Sequence, residues 1–203
     1  MILFIIARFL LFIPYRLIFW VRVKGRENLP KRGAVIVSST HIHLLDPITH
    51  AAVQSRPFFS MAKEELFRNR FFSGLLKLVG AFPVRRGHRD KSAIENALSL
   101  LDNGKMIVLY PEGTRSKTGQ LQEYKPGVTL MAHHADVPIV PAVIVAKHGY
   151  IPFCGIKVIY GKPVTTKELG VKTGGSRELR EAASALRDIS VEMLAAEAAE
   201  KVI

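Results

Sequence analysis

The 203-residue chain has a single cysteine, Cys154. No intrachain disulfide can form, no metal cage of several thiolates can be built, and a reducing compartment fits. Acidic residues are also scarce: 17 Asp and Glu stand against 29 Lys and Arg, a formal net charge of +12. That excess attracts polyanions, namely nucleic acid, anionic lipid headgroups or phosphorylated substrates. Internal repeats and low-complexity tracts are absent, and with 48% hydrophobic residues the chain has the composition of one folded domain with a full core. There is no Gly-x-Ser-x-Gly elbow for a serine hydrolase.

An uninterrupted spanning run is missing too. Residues 1–21 (MILFIIARFLLFIPYRLIFWV) are strongly apolar, but Arg8 and Arg16 cut them well short of the roughly 20 residues a bilayer requires. No small-residue cleavage site precedes Trp20, so a cleaved signal fits no better. Arginine stems that snorkel, with Tyr15, Phe19 and Trp20 at headgroup depth, point to an interfacial anchor lying in the membrane, broken into two short helices at Pro14. The competing reading is a first helix buried in the core. The expected organisation is a membrane-associating segment over residues 1–23 and a catalytic domain over 24–203. The basic flank places the anchor on the cytosolic face of the cytoplasmic membrane.

Beyond Pro30 the pattern is that of an α/β domain. Strands are expected at 34–39, 57–61, 106–110, 139–145 and 156–160. Helices are expected after Pro47, over 63–79 with an interruption at Gly74, over 92–101, over 128–134, and from Ser176 onward. In the last of these Leu179, Ala182, Leu186, Ile189, Met193 and Ala196 form one stripe. Strands alternating with helices predict a mainly parallel sheet flanked by helices, with reactive groups at the carboxy ends of its strands.

Four segments there carry chemistry. Thr40-His41-Ile42-His43-Leu44-Leu45-Asp46-Pro47 follows the first buried strand, with Asp46 in a helix N-cap position. On an ideal helix His41 and Asp46 would point about 140° apart. The turn must therefore fold back if Asp46 is to orient one imidazole nitrogen and leave the other as a base. Gly80-Ala81-Phe82-Pro83-Val84-Arg85-Arg86-Gly87 offers guanidinium forks for a phosphate. Tyr110-Pro111-Glu112-Gly113-Thr114-Arg115-Ser116 adds a turn with a further arginine, its Glu112 suited to pinning arginines or backbone donors. Val137-Pro138-Ile139-Val140-Pro141-Ala142 is apolar, and its prolines suggest an edge strand or a strand start.

In order, context and spacing these segments resemble the four sequence blocks of the 1-acyl-sn-glycerol-3-phosphate acyltransferases, the lysophosphatidic acid acyltransferase family. The likeness runs over roughly residues 24–162 and includes Lys125-Pro126-Gly127 and Gly161-Lys162-Pro163. It implies the glycerolipid acyltransferase fold, a catalytic His41 oriented by Asp46, and an acceptor site at Arg86, Glu112, Gly113, Thr114 and Arg115. The implied reaction moves a fatty acyl group from an acyl carrier protein or coenzyme A thioester to the free hydroxyl of lysophosphatidate. It needs neither cofactor nor metal, and the implied partner is an anionic membrane surface with no nucleic acid. Thr40 and His43 stand where the family often has Asn and Ser, and Arg85 where many members carry an acidic or polar residue.

Two other classes compete. A metal hydrolase would use His41, His43, Asp46 and His50, though the barrel that carries such sites typically needs about 250 residues. A basic membrane- or nucleic-acid-binding protein explains the charge but not the ordered blocks. Within the family, another lysolipid acceptor remains open.

Overall fold

The computed structural model describes residues 8–78, 80–84, 91–116 and 118–200. In chain order the strands are β1 (Val21–Lys24), β2 (Val35–Ser39), β3 (Phe58–Lys63), β4 (Ala81–Val84), β5 (Met106–Leu109), β6 (Ile139–Val145) and β7 (Ile156–Tyr160). The helices are α1 (Ile13–Ile18), entered through a π-helical turn over Arg8–Phe12, α2 (Asp46–Val53), α3 (Arg70–Leu78), α4 (Lys91–Asp102), α5 (Gly127–Ala135) and α6 (Ser176–Ala199). One sheet holds the strands in the order β1-β7-β6-β2-β5-β3-β4. All neighbours pair in parallel except β6 with β7, so β1 and β7 run against the other five.

The central strands β2 and β5 are buried at every position, which is why they read as continuous apolar runs and not as alternating ones. Val35, Val37, Met106 and Val108 face a layer containing Phe12 and residues 51–53 of α2. Ile36, Ile107 and Leu109 face α4, α5 and α6 through Ala97, Leu101, Val128, Met131, Ala132, Ala183 and Leu186. Each fully buried Val or Ile contributes about 1.5–3 kcal/mol. The two-layered cover therefore fixes the strand ends that build the site.

Several expectations change here. β1 and β4 are strands where the sequence suggested none; both are short, at the margins of the sheet, and β4 contains Pro83. Gly74 does not interrupt α3. The break lies earlier, between a 3-10 turn at Glu64–Phe67 and the start of α3 at Arg70. The proline-bearing strand β6 is internal, between β7 and β2. Pro141 is tolerated because its carbonyl, and so its nitrogen, face the β7 side just where β7 ends: Gly161 N–H donates to Pro141 O at 2.8 Å, and the β7 ladder begins at Ala142.

The expected boundary between residues 23 and 24 falls inside β1, which pairs with β7 over Val21–Lys24. Phe12 is buried, and Tyr15 and Phe19 pack on the α2-side core. The other side of this segment is bare: Leu10, Leu17 and Trp20 are 70%, 67% and 55% exposed. Ile151 and Phe153 of the loop after β6 are likewise exposed, and the Phe153 ring meets Trp20 edge-on at 6.0 Å. No helix among the described residues is long and apolar enough to cross a membrane.

Candidate active site

β2, β5 and β6 run in one direction, so the residues after Ser39, Leu109 and Val145 all emerge at the same end of the strands. Thr40 carries the β2–β6 pairing one residue further. Its N–H donates to Ala142 O (3.2 Å), and its hydroxyl accepts from Ile144 N–H (3.0 Å). The chain then leaves the strand as a non-helical turn that folds back on itself. That fold places His41 Nδ1 2.7 Å from Asp46 Oδ2. Both residues are buried, Asp46 completely.

Asp46 is the first residue of α2, and its carboxylate makes no cap bond to that helix. It reaches backward instead: Oδ2 accepts from Ile42 N–H (2.8 Å) and His43 N–H (2.9 Å) as well as from His41. The remaining oxygen, Oδ1, accepts a short hydrogen bond from the Tyr150 hydroxyl. Burial first, and then the Asp46 charge, push the Tyr150 phenol far above its ordinary range, so it remains a donor. With Nδ1–H donating to Asp46, His41 Nε2 has no hydrogen-bond partner among the described residues and could act as a base.

The loop after β5 grips His41 from the other side. Glu112 is buried and accepts on both oxygens, from His41 N–H (2.8 Å) and from Gln122 N–H (3.2 Å). Ser116 N–H donates to His41 O at 2.8 Å. The backbone of the histidine is thus held at both its donor and its acceptor by one five-residue segment. The Tyr110 ring stacks on the imidazole, with centroids 4.1 Å apart and planes 21° from parallel. Gly113 lies at φ +72° beneath the Lys125 side chain. Thr114 is exposed and exchanges two hydrogen bonds with the Gln122 side chain. Arg115 is exposed and makes no side-chain hydrogen bond or ion pair among the described residues. Arg86, expected to bind phosphate, and its neighbour Arg85 lie outside the described residues.

His43 stacks on Tyr150, with centroids 4.1 Å apart, and its Nδ1 accepts from Leu45 N–H at 3.2 Å. His50 points into the core, where Nδ1 meets Tyr160 OH and Nε2 meets Ser39 Oγ, each at 2.9 Å. Both ring nitrogens are committed, which removes His50 from a ligand set with His41 and His43. Among the described residues no group of three or more His, Cys, Asp or Glu is arranged to hold a metal ion. A cavity of about 250 Å³, lined in part by Arg26, Lys31, Arg56 and Met106, opens at the amino ends of the strands, away from His41. Tyr110 and Tyr150, both packed on the histidines, had no role assigned from the sequence, although Tyr110 opens the third segment. Tyr110 reads there as the end of an apolar strand, and Tyr150 lies 104 residues from Asp46.

The Acyltransferase family profile matches residues 20–145, which hold every side chain of the site described above except Tyr150 and Tyr160. The 1-acyl-sn-glycerol-3-phosphate acyltransferase of Bacillus subtilis is 34% identical over 123 residues, covering 60% of this chain and 61% of that protein. The enzyme of the same name from Borreliella burgdorferi is 34% identical over 124 residues, covering 60% of this chain and 50% of that protein. The chain thus spans roughly half to three fifths of the length of these curated relatives. The crystal structure of the 1-acyl-sn-glycerophosphate (LPA) acyltransferase from Thermotoga maritima matches with a TM-score of 0.69 at 27% identity, over 87% of this chain and 72% of that one. With the profile matched over more than half of its length, on a mainly parallel sheet whose edge carries the His41–Asp46 pair, the chain belongs to the Acyltransferase family.

Proposed function

We propose that the protein transfers a fatty acyl group from a thioester, on acyl carrier protein or coenzyme A, to the free hydroxyl of 1-acylglycerol 3-phosphate, giving phosphatidate. The observation that carries this reading is the 2.7 Å contact between His41 Nδ1 and Asp46 Oδ2, in a turn whose backbone Glu112 and Ser116 hold in place. His41 Nε2 takes the proton of the acceptor hydroxyl as its oxygen attacks the thioester carbonyl. A C–O bond forms and the C–S bond breaks, and the imidazolium returns the proton to the leaving thiolate. No acyl-enzyme is formed, and the chemistry requires neither metal nor cofactor. Arg115, exposed and unpaired among the described residues, is suited to the acceptor phosphate, as is Arg86 from the second sequence block. Glu112, Gly113 and Thr114 shape the loop that presents Arg115. The bare apolar side of residues 10–20, with Ile151 and Phe153, supports docking on the cytosolic face of the cytoplasmic membrane, where a lipid acceptor resides.

The test is acyl transfer from a labelled acyl thioester to lysophosphatidate in lipid vesicles, by the wild type and by His41→Ala. Phosphatidate from the wild type, reduced at least a thousandfold in the variant, is expected for loss of the base. Equal product from both would remove His41 from the mechanism. Product from neither, but from another lysolipid acceptor with the wild type alone, would move the acceptor assignment and leave the chemistry standing.

A further inference from the structure

We infer that Tyr150 is a positioning residue of the catalytic pair, set in place from the amino-terminal helix through a chain of hydroxyls. This rests on His41 and Asp46 performing the acyl transfer proposed above. Asp46 is completely buried and accepts four hydrogen bonds, three of them from its own turn. The fourth, from the Tyr150 hydroxyl to Oδ1, is the one that comes from elsewhere in the fold. The three local bonds converge on Oδ2 and leave the carboxylate free to swing about it. A donor on the opposite oxygen removes that freedom and so sets the direction in which Oδ2 faces the imidazole.

The chain continues past Tyr150. The Thr49 hydroxyl lies 3.3 Å from Tyr150 OH and 3.1 Å from Leu45 O, and donates toward them. Tyr15 OH, on α1, lies 2.8 Å from Thr49 Oγ1. Each hydroxyl has one hydrogen. With Tyr150 donating to Asp46 and Thr49 donating toward Tyr150 or Leu45, Tyr15 is the donor to Thr49. When Thr49 donates to Tyr150 the bonds run in one sense from α1 to the carboxylate; when it donates to Leu45 O, Thr49 still packs its hydroxyl between Tyr15 and Tyr150. The loop bearing Tyr150 is tied to α1 a second time, by Phe153 N–H donating to Ile18 O at 2.7 Å, and Phe19 packs on the Tyr150 ring at 6.4 Å. His43 stacks on the same ring. Ring contacts hold the tyrosine's plane, and the hydroxyl acts on Asp46.

Tyr150→Phe separates these roles, because it keeps the rings and removes the donor. The expected result is a fall in kcat of about tenfold or more, the size of one charge-assisted hydrogen bond, with KM for both substrates unchanged and the melting temperature lowered by a few degrees, since a buried carboxylate oxygen loses its donor. In an Asp46→Asn background the same change should cost less than about twofold, since the hydroxyl acts through the carboxylate. A tenfold loss in both backgrounds, or none in the wild type, would overturn the inference. A second readout needs no substrate: the proton NMR signal of His41 Nδ1–H, assigned by its loss in His41→Ala, should move or broaden in Tyr150→Phe. If the wild type forms no phosphatidate, the functional reading fails while this signal still decides the positioning role, and an unmoved signal would refute it.

Discussion

His50 is completely buried, and among the described residues its ring nitrogens meet only the hydroxyls of Ser39 and Tyr160. Burial, reinforced by the neighbouring His41 and opposed by the charge of Asp46, lowers its pKa from 6.5 to about 4. Protonation thus favours the unfolded chain. The histidine's contribution is fully present above pH 6.5 and is lost as the pH falls toward 4, and a shift of this size corresponds to about 3 kcal/mol. Urea unfolding of the wild type and of His50→Gln across that window should show the wild-type advantage shrinking as the pH drops. A constant difference would mean that His50 is not held neutral by the fold. Legibility at this scale follows sequence distance. His41 and Asp46 are five residues apart in one turn, so their meeting could be anticipated from the need to fold back. Tyr150 reaches Asp46 from the loop after β6, and Tyr15 reaches Thr49 of α2 from α1; no local pattern announces a hydroxyl that becomes important only through tertiary contact.

At the scale of elements, the loop after β5 dictates the residue at the position between Glu112 and Thr114. Gly113 at φ +72° would place an added Cβ 2.9 Å from Lys125 Nζ. The lysine tip can swing aside, but the left-handed backbone cannot relax without moving Glu112 and Ser116, the two residues that hold His41. Gly113→Ala should therefore cost about 1–2 kcal/mol of stability and lower kcat more than the loss of folded protein explains. Thermal melts read beside initial rates check this, and an unchanged kcat would show that the loop does not transmit strain to the histidine. Elements with uniform or regular burial, such as β2, β5 and α4, were legible whatever their length. β1 and β4 were not, since at the margins of the sheet their burial is mixed and each gains its strand character from a single neighbour. The stripe of α6 was only partly legible: Ser190 and Glu197 are buried on it while Ala196 is exposed, because Tyr124 and Lys157 satisfy the two polar groups from outside the helix.

The whole molecule is polarised in a way that no single element displays. The site edge of the sheet is also where α1 and the loop after β6 meet through Trp20 and Phe153, and the apolar side chains there face outward. Exposing Leu17 at 67% and Phe153 at 59% gives a water-soluble fold nothing, whereas a bilayer would take both up. The net charge of +12 draws such a surface toward anionic headgroups. These two terms separate experimentally because salt screens one and leaves the other. Sedimentation with vesicles containing phosphatidylglycerol should capture the wild type more strongly than phosphatidylcholine vesicles do, with the difference closing as salt rises. The double variant Leu17→Ser, Phe153→Ser should bind both vesicle types about thirtyfold more weakly or worse, from the loss of roughly 1–2 kcal/mol per side chain, while melting as the wild type does because neither residue is in the core. If that variant binds like the wild type, α1 serves the core through Phe12 and Tyr15 alone, and the lipid acceptor reaches His41 by another route.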